Sequence, residues 1–258
     1  MSQGKEATSN QPFEIPPNWG KDAFSNFFET ARLNLIATSK LMPQEYNRLD
    51  RIDHLYLQVI DYAPHNSPEV LPAFFLLRAH SSYRTACGLA ASGQVADSHA
   101  IMRQCIETSL YGFHVFAKPE AAHIWMNRND DVDAHSKAKN EFKYGNVKAT
   151  LSETNARLGT QTDRLYNLLI EEGGHPNFLS IFPHMQMKET QEDVEFKHYY
   201  LNPGGFPQKS ALMHVSIAGI ISLSIFREVW KTRFDLMNLT QQIEKERPNP
   251  NEKYWSNP

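Results

Sequence analysis

The stretch that most limits what this chain can fold into runs from Gln94 to Lys118, QVADSHAIMRQCIETSLYGFHVFAK. Gly93 precedes it and Pro119 follows it, residue types that bound a helix rather than continue it. The pattern predicts one helix of more than about six turns. Its apolar side chains, among them Ile101, Met102, Cys105, Ile106, Leu110 and Phe113, fall nearly all round the wheel, as in a buried helix. Yet His99, Arg103 and Glu107 recur at i, i+4 and i+8, with His114 near the same line. Charged groups inside a fold need partners. This polar line is therefore where partners, or chemistry, should gather.

The flanking segments are helical as well. An amphipathic helix is predicted from Asp22 to Met42, a second from Pro43 to about Tyr62, and a third from about Glu69 to Ala91. The short link Ser92-Gly93-Gln94 makes the third helix and the Gln94–Lys118 helix antiparallel neighbours. Folding that hairpin about Gly93 sets Glu107 level with Arg78 and His80, and Arg103 level with Arg84, so ion pairs across the hairpin are expected. Beyond Pro119 the pattern gives a short helix and two surface helices broken near Gly145. A further helix over 160–172 follows, with Thr160 or Thr162 as its cap. Gly173-Gly174 stops it, and His175-Pro176-Asn177 follows on a shaped loop.

VEFKHYYL alternates and is rich in β-branched and aromatic residues, which predicts a small extended arm near residues 190–205. A last helix is expected over 208–246. Its run ALMHVSIAGIISLSIF holds about 16 residues with His214 and three serines, short of the roughly 20 cleaner residues that a membrane span needs. The expected fold class is therefore all-α: a single bundle of about six to eight helices over 21–246, between loose tails at 1–20 and 247–258, with no membrane partner.

Bulk properties narrow the function classes. Hydrophobic residues make up 41% of the 258, enough for a substantial core, and the net charge of −3 indicates no basic DNA-binding surface. The two cysteines, Cys87 and Cys105, are offset by about 9 Å of helix rise in the hairpin, too far for a disulfide. Reduced thiols and an N-terminus without an apolar run point to a cytoplasmic protein. G-x-S-x-G, Walker A and G-x-G-x-x-G patterns are all missing, as is any Cys/His zinc spacing. Glu120-x-x-His123 and Glu195-x-x-His198 have di-iron spacing, but the second lies in the extended segment, where facing-helix geometry fails. No metal and no cofactor is expected.

The candidate acid/base and charge-bearing residues are Arg103, Glu107 and His175; the candidate binding residues are Arg78, His80, Arg84, His99 and Asn177. Each set has a plainer reading beside it. The His99/Arg103/Glu107 line also reads as a structural ion-pair network, and His175-Pro176-Asn177 as ordinary turn chemistry after a glycine stop.

Arg103-x-x-x-Glu107 in a helical hairpin, followed by Tyr166 and His175-Pro176-Asn177, resembles a group of bacterial helical proteins that look like distant relatives of the HEPN superfamily. The resemblance spans residues 70–180. It implies a helical bundle that forms a homodimer and acts on or binds RNA, in the manner of toxin and defence proteins. The superfamily's nuclease signature is an Arg and a His separated by four to six residues. Arg48-x5-His54 and Arg128-x6-His135 meet it, with Asn129 after Arg128. A chain with 12 arginines and 11 histidines meets it about 1.5 times by chance, and neither pair lies on the central helix. The resemblance implies a metal-independent reaction, with a histidine as base for the 2′-hydroxyl and an arginine stabilising the phosphorane. Two other classes stay open beside it: a non-catalytic interaction protein, and a small-ligand binder or enzyme with its site in the bundle interior.

Overall fold

The computed structural model describes residues 14–174, 181, 185–189 and 193–247. The chain is all-α with a small β arm. Four long helices open the chain: α1 (Ala23–Leu41), α2 (Pro43–Tyr62), α3 (Val70–Ser92) and α4 (Val95–Ala117). Asp22 caps α1 by accepting from the backbone N–H of Phe24 and Ser25, and Pro43 occupies the first turn of α2. Gly93 lies between α3 and α4 at φ +89°, a left-handed conformation in which a side chain would be strained. It lets Gln94 N–H donate back to Leu89 O at 2.9 Å and reverses the chain into the expected antiparallel hairpin.

Short helices follow: α5 (Pro119–Met126), α6 (Val132–Glu141), α7 (Tyr144–Thr154) and α8 (Ala156–Leu169). Asn155, rather than Thr160 or Thr162, caps α8 by accepting from Leu158 N–H at 3.0 Å. A single π turn, Ile170–Gly174, extends α8. The arm is an antiparallel pair, β1 (Met185–Glu189) and β2 (Val194–His198), with Met187 opposite Phe196. It begins earlier than the expected 190–205.

The expected single helix over 208–246 is three: α9 (Gly205–Val229), α10 (Lys231–Leu236) and α11 (Leu239–Glu246). Breaks fall at Trp230 and at Asn238, which takes a left-handed φ of +57°. With these splits there are eleven α-helices among the described residues, against the six to eight expected. Of the expected tails, 1–13 and 248–258 lie outside the described residues.

The core forms where α9 is wrapped by α2, α3 and α4. From Ser210 to Phe226 every residue of α9 is buried. It is the one helix among the described residues long and apolar enough to cross a membrane, and 94% of its apolar window is buried inside the fold. A polar latch holds its first turn. Gln208, fully buried, donates from Nε2 to Ala91 O at 2.9 Å, Ala90 O at 3.2 Å and Thr38 Oγ1 at 2.9 Å. Asn202 N–H donates to Gly93 O at 2.8 Å just before it. Cys105 is buried and Cys87 half-buried, both as free thiols. Burial pushes Cys87 up to about 12 and Cys105 to about 11, so neither presents a thiolate near neutral pH.

Candidate functional site

Helix α4 carries its polar line as the spacing predicted, but the partners are not those across the hairpin. Arg103 Nε lies 3.6 Å from Glu107 Oε1 within the helix. Glu107 Oε1 also accepts from Tyr166 Oη on α8 at 2.7 Å. Tyr166 is stacked on Tyr144 of α7, ring centroids 3.6 Å apart and 9° from parallel. Tyr144 Oη donates in turn to Asp163, which Lys148 Nζ approaches to 3.4 Å. Burial first, and then the hydrogen bond to Glu107, raises the Tyr166 phenol well above its ordinary range. Tyr166 therefore acts as a donor.

The ion pairs expected from Arg78 and His80 to Glu107 do not form, and Arg84, level with Arg103, is turned from α4. Arg78 is exposed. His80 and Arg84 lie on the side of α3 that faces α2, and both go to Asp53. His80 Nε2 is 2.7 Å from Asp53 Oδ1, while Arg84 donates from Nε to Oδ1 at 2.7 Å and from Nη2 to Oδ2 at 2.8 Å. Burial acts to raise the Asp53 carboxyl, but Arg84 and His80 outweigh it and hold it below the carboxylate range. Level along a helix axis is not direction around it: residues 80 and 84 share a face of α3, and that face is turned from α4.

One turn before Arg103, His99 enters a different cluster. Its Nε2 lies 3.0 Å from Glu172 Oε2 in the π turn. His214 Nδ1, on α9, lies 3.2 Å from the same oxygen. The two imidazole nitrogens are 3.3 Å apart. Both histidines are buried, while the Glu172 side chain keeps 34% of its surface exposed. Burial works to raise the Glu172 carboxyl, but hydrogen bonds and charge from His214 and His99 reverse this and hold it at about 2. His99 Nδ1, on the far side of its ring, is buried without a hydrogen-bond partner.

Gly173 is what lets the turn come so close. A Cβ there would meet Ala96 O at 2.4 Å and the His99 Cβ at 3.1 Å. Gly173 leaves helical geometry (φ 173°, ψ −11°), so the chain kinks here and delivers Glu172 onto α4. The turn and the glycine together place one carboxylate oxygen against two imidazoles from two other helices.

The sequence reading assigned no metal ligand. The three donor atoms assembled here come from three elements that no local spacing joins, and they are the type of donor set that holds a divalent ion. Glu172 had no pattern to mark it beyond its place beside the glycine stop. His214 did carry a signal, as a lone histidine in the most apolar run of the chain. His175 and Asn177 lie outside the described residues. His114 is saturated: Nδ1 is 2.9 Å from Thr150 Oγ1 and Nε2 is 3.0 Å from Glu141 Oε1.

The Arg–His pairs do not converge within the chain. Arg48 and His54 sit about 120° apart round α2. Arg48 Nη1 reaches Met213 Sδ at 3.4 Å, while His54 Nδ1 lies 2.9 Å from Asp50 O. Arg128 stacks over the Trp125 ring at 4.0 Å, while His135 is exposed on α6. No protein-family model, no curated protein and no solved structure matches this chain.

Proposed function

We propose that this chain acts on a small polar ligand held along the solvent-reaching edge of α4. One observation carries the reading. The charged groups of the seam keep part of each side chain in solvent, Arg103 at 25%, Glu107 at 33% and Glu172 at 34%, while the histidines behind them are buried. They come from α4 and the π turn, with Tyr166 of α8 between. A closed structural lock would hide its charges, whereas these side chains keep an edge in solvent where a ligand reaches them. Arg103 offers a planar cation for a carboxylate or phosphate, Tyr166 a hydroxyl donor, and Glu107 an acceptor.

Native mass spectrometry of purified wild type beside Arg103→Ala tests the reading, together with melting curves against a panel of phosphorylated and dicarboxylic small molecules. Wild type should retain a small adduct or melt higher with a subset of the panel. Arg103→Ala should lose that response while melting close to wild type without ligand. A wild type that carries nothing and responds to nothing overturns the proposal.

Action on RNA rests on the HEPN resemblance alone. Incubating wild type, His54→Ala and His135→Ala with total RNA tests it, and intact RNA with wild type removes it.

A further inference from the structure

We propose that His99 Nε2, His214 Nδ1 and Glu172 Oε2 form one face of a divalent transition-metal site, of the zinc or iron(II) kind, with its remaining positions open toward solvent past Glu172. The proposal deepens the reading of α4 as a ligand site and rests on it, since the ion would lie one helical turn from Arg103.

The three donor atoms make a nearly equilateral triangle with edges of 3.0, 3.2 and 3.3 Å. An ion about 2.0–2.1 Å from each ligand in tetrahedral geometry sets donors roughly 3.3 Å apart. A six-coordinate ion at the same distances, bound through one face, sets them roughly 2.8–3.0 Å apart. The triangle lies nearer the tetrahedral spacing, and its shortest edge reaches the six-coordinate one.

Protons account for the triangle less well. If each imidazole donates to Glu172, two edges are satisfied and the third sets two N–H groups against each other. If one imidazole donates to the other, that second ring has no proton left on the same nitrogen for the carboxylate. A cation satisfies all three edges at once. It needs neutral imidazoles with lone pairs turned inward. For His99 that puts the proton on Nδ1, which is buried and finds no acceptor among the described residues, so ligation must offset that unmade bond.

The donor set also indicates the kind of site. Structural zinc is closed by four protein ligands, whereas two histidines and one carboxylate leave room for water or substrate. The same set on a six-coordinate face is the arrangement of non-haem iron(II) centres. The open side is the side of Glu172, since both histidines are buried. The seam residues Arg103 and Tyr166 lie further along the same edge, where the free end of a metal-bound anion would reach.

Cobalt(II) titration of the chelator-treated, folded full chain tests the proposal, because cobalt in an N,N,O site gives visible absorption bands. Wild type should bind one equivalent with such bands, and zinc should displace it. Glu172→Gln and His214→Ala should each weaken binding more than about 100-fold. Glu107→Gln, outside the triangle, should leave the titration unchanged. Zinc should raise the melting temperature of wild type and leave that of Glu172→Gln where it was.

A folded wild type with no cobalt bands and no zinc-dependent rise in melting temperature overturns the proposal, even if a histidine variant fails to fold. Binding that survives Glu172→Gln overturns the ligand assignment. The two readings fail separately: the metal titration needs no organic ligand, and the Arg103→Ala comparison needs no metal.

Discussion

Two carboxylates in this fold sit against buried histidines, and they are finished differently. Asp53 receives His80 and both arms of the Arg84 fork, so both of its oxygens are engaged and a permanent cation balances its charge. Glu172 faces two imidazoles through a single oxygen and has no arginine against it among the described residues. The first cluster joins α2 to α3 and is complete. The second joins α4, α9 and the π turn and is completed by a cation. Histidine plus carboxylate is thus a poor guide to function until the remaining valences are counted.

The sharpest way to break this comparison is to remove each carboxylate. Asp53→Ala leaves His80 buried without its acceptor and Arg84 unpaired, and should cost about 2–3 kcal/mol in a urea melt. Acid should reveal the sign. The folded pKa of Asp53 lies below its unfolded value, so its contribution is whole above about pH 4 and fades as pH falls through the folded value. The stability gap between wild type and Asp53→Asn should therefore be constant from about pH 7 to 5 and narrow only below about pH 4. A gap that closes near pH 6 would show that the Asp53–Arg84 pair contributes nothing.

Next in size is Gly173→Ala. Its Cβ cannot coexist with Ala96 O at 2.4 Å, so the π turn must move off α4, at a cost of about 1–3 kcal/mol. His114 should give a smaller effect. Burial lowers its pKa below 6.5 despite the pull of Glu141, so the fold favours the neutral ring. Stability should be whole above about pH 6.5 and decline as pH falls below it, and His114→Gln should flatten that decline. Glu172→Gln in metal-free protein should cost less than Asp53→Ala by chemical denaturation, because the amide oxygen can still accept one imidazole N–H. A loss as large as that of Asp53→Ala would make Glu172 a structural lock and erase the contrast.

Much of this was legible in the sequence. Helix boundaries at Pro43, Gly93 and Pro119 follow from backbone chemistry, and the polar line of α4 follows from its spacing. The stop at Gly173-Gly174 was visible too, though not its packing on Ala96. Missing was direction round each helix. His80 stands at the level of Glu107 and Arg84 at that of Arg103, yet both face α2, because the hairpin register says nothing of the rotation of α3. The triangle was illegible for a further reason. His99, Glu172 and His214 are separated by 73 and 42 residues, and only the tertiary packing of α9 and the π turn joins them.

The latch at the start of α9 has a consequence for that triangle. His214 lies fewer than two turns after Gln208, whose amide grips the end of α3, and α3 passes directly into α4 through Gly93. The axial height of one imidazole against the other is thus fixed from the hairpin corner. A slip of a single residue there, about 1.5 Å, would spread the donors beyond the reach of any one ion. The corner of the bundle acts as the gauge block for its interior.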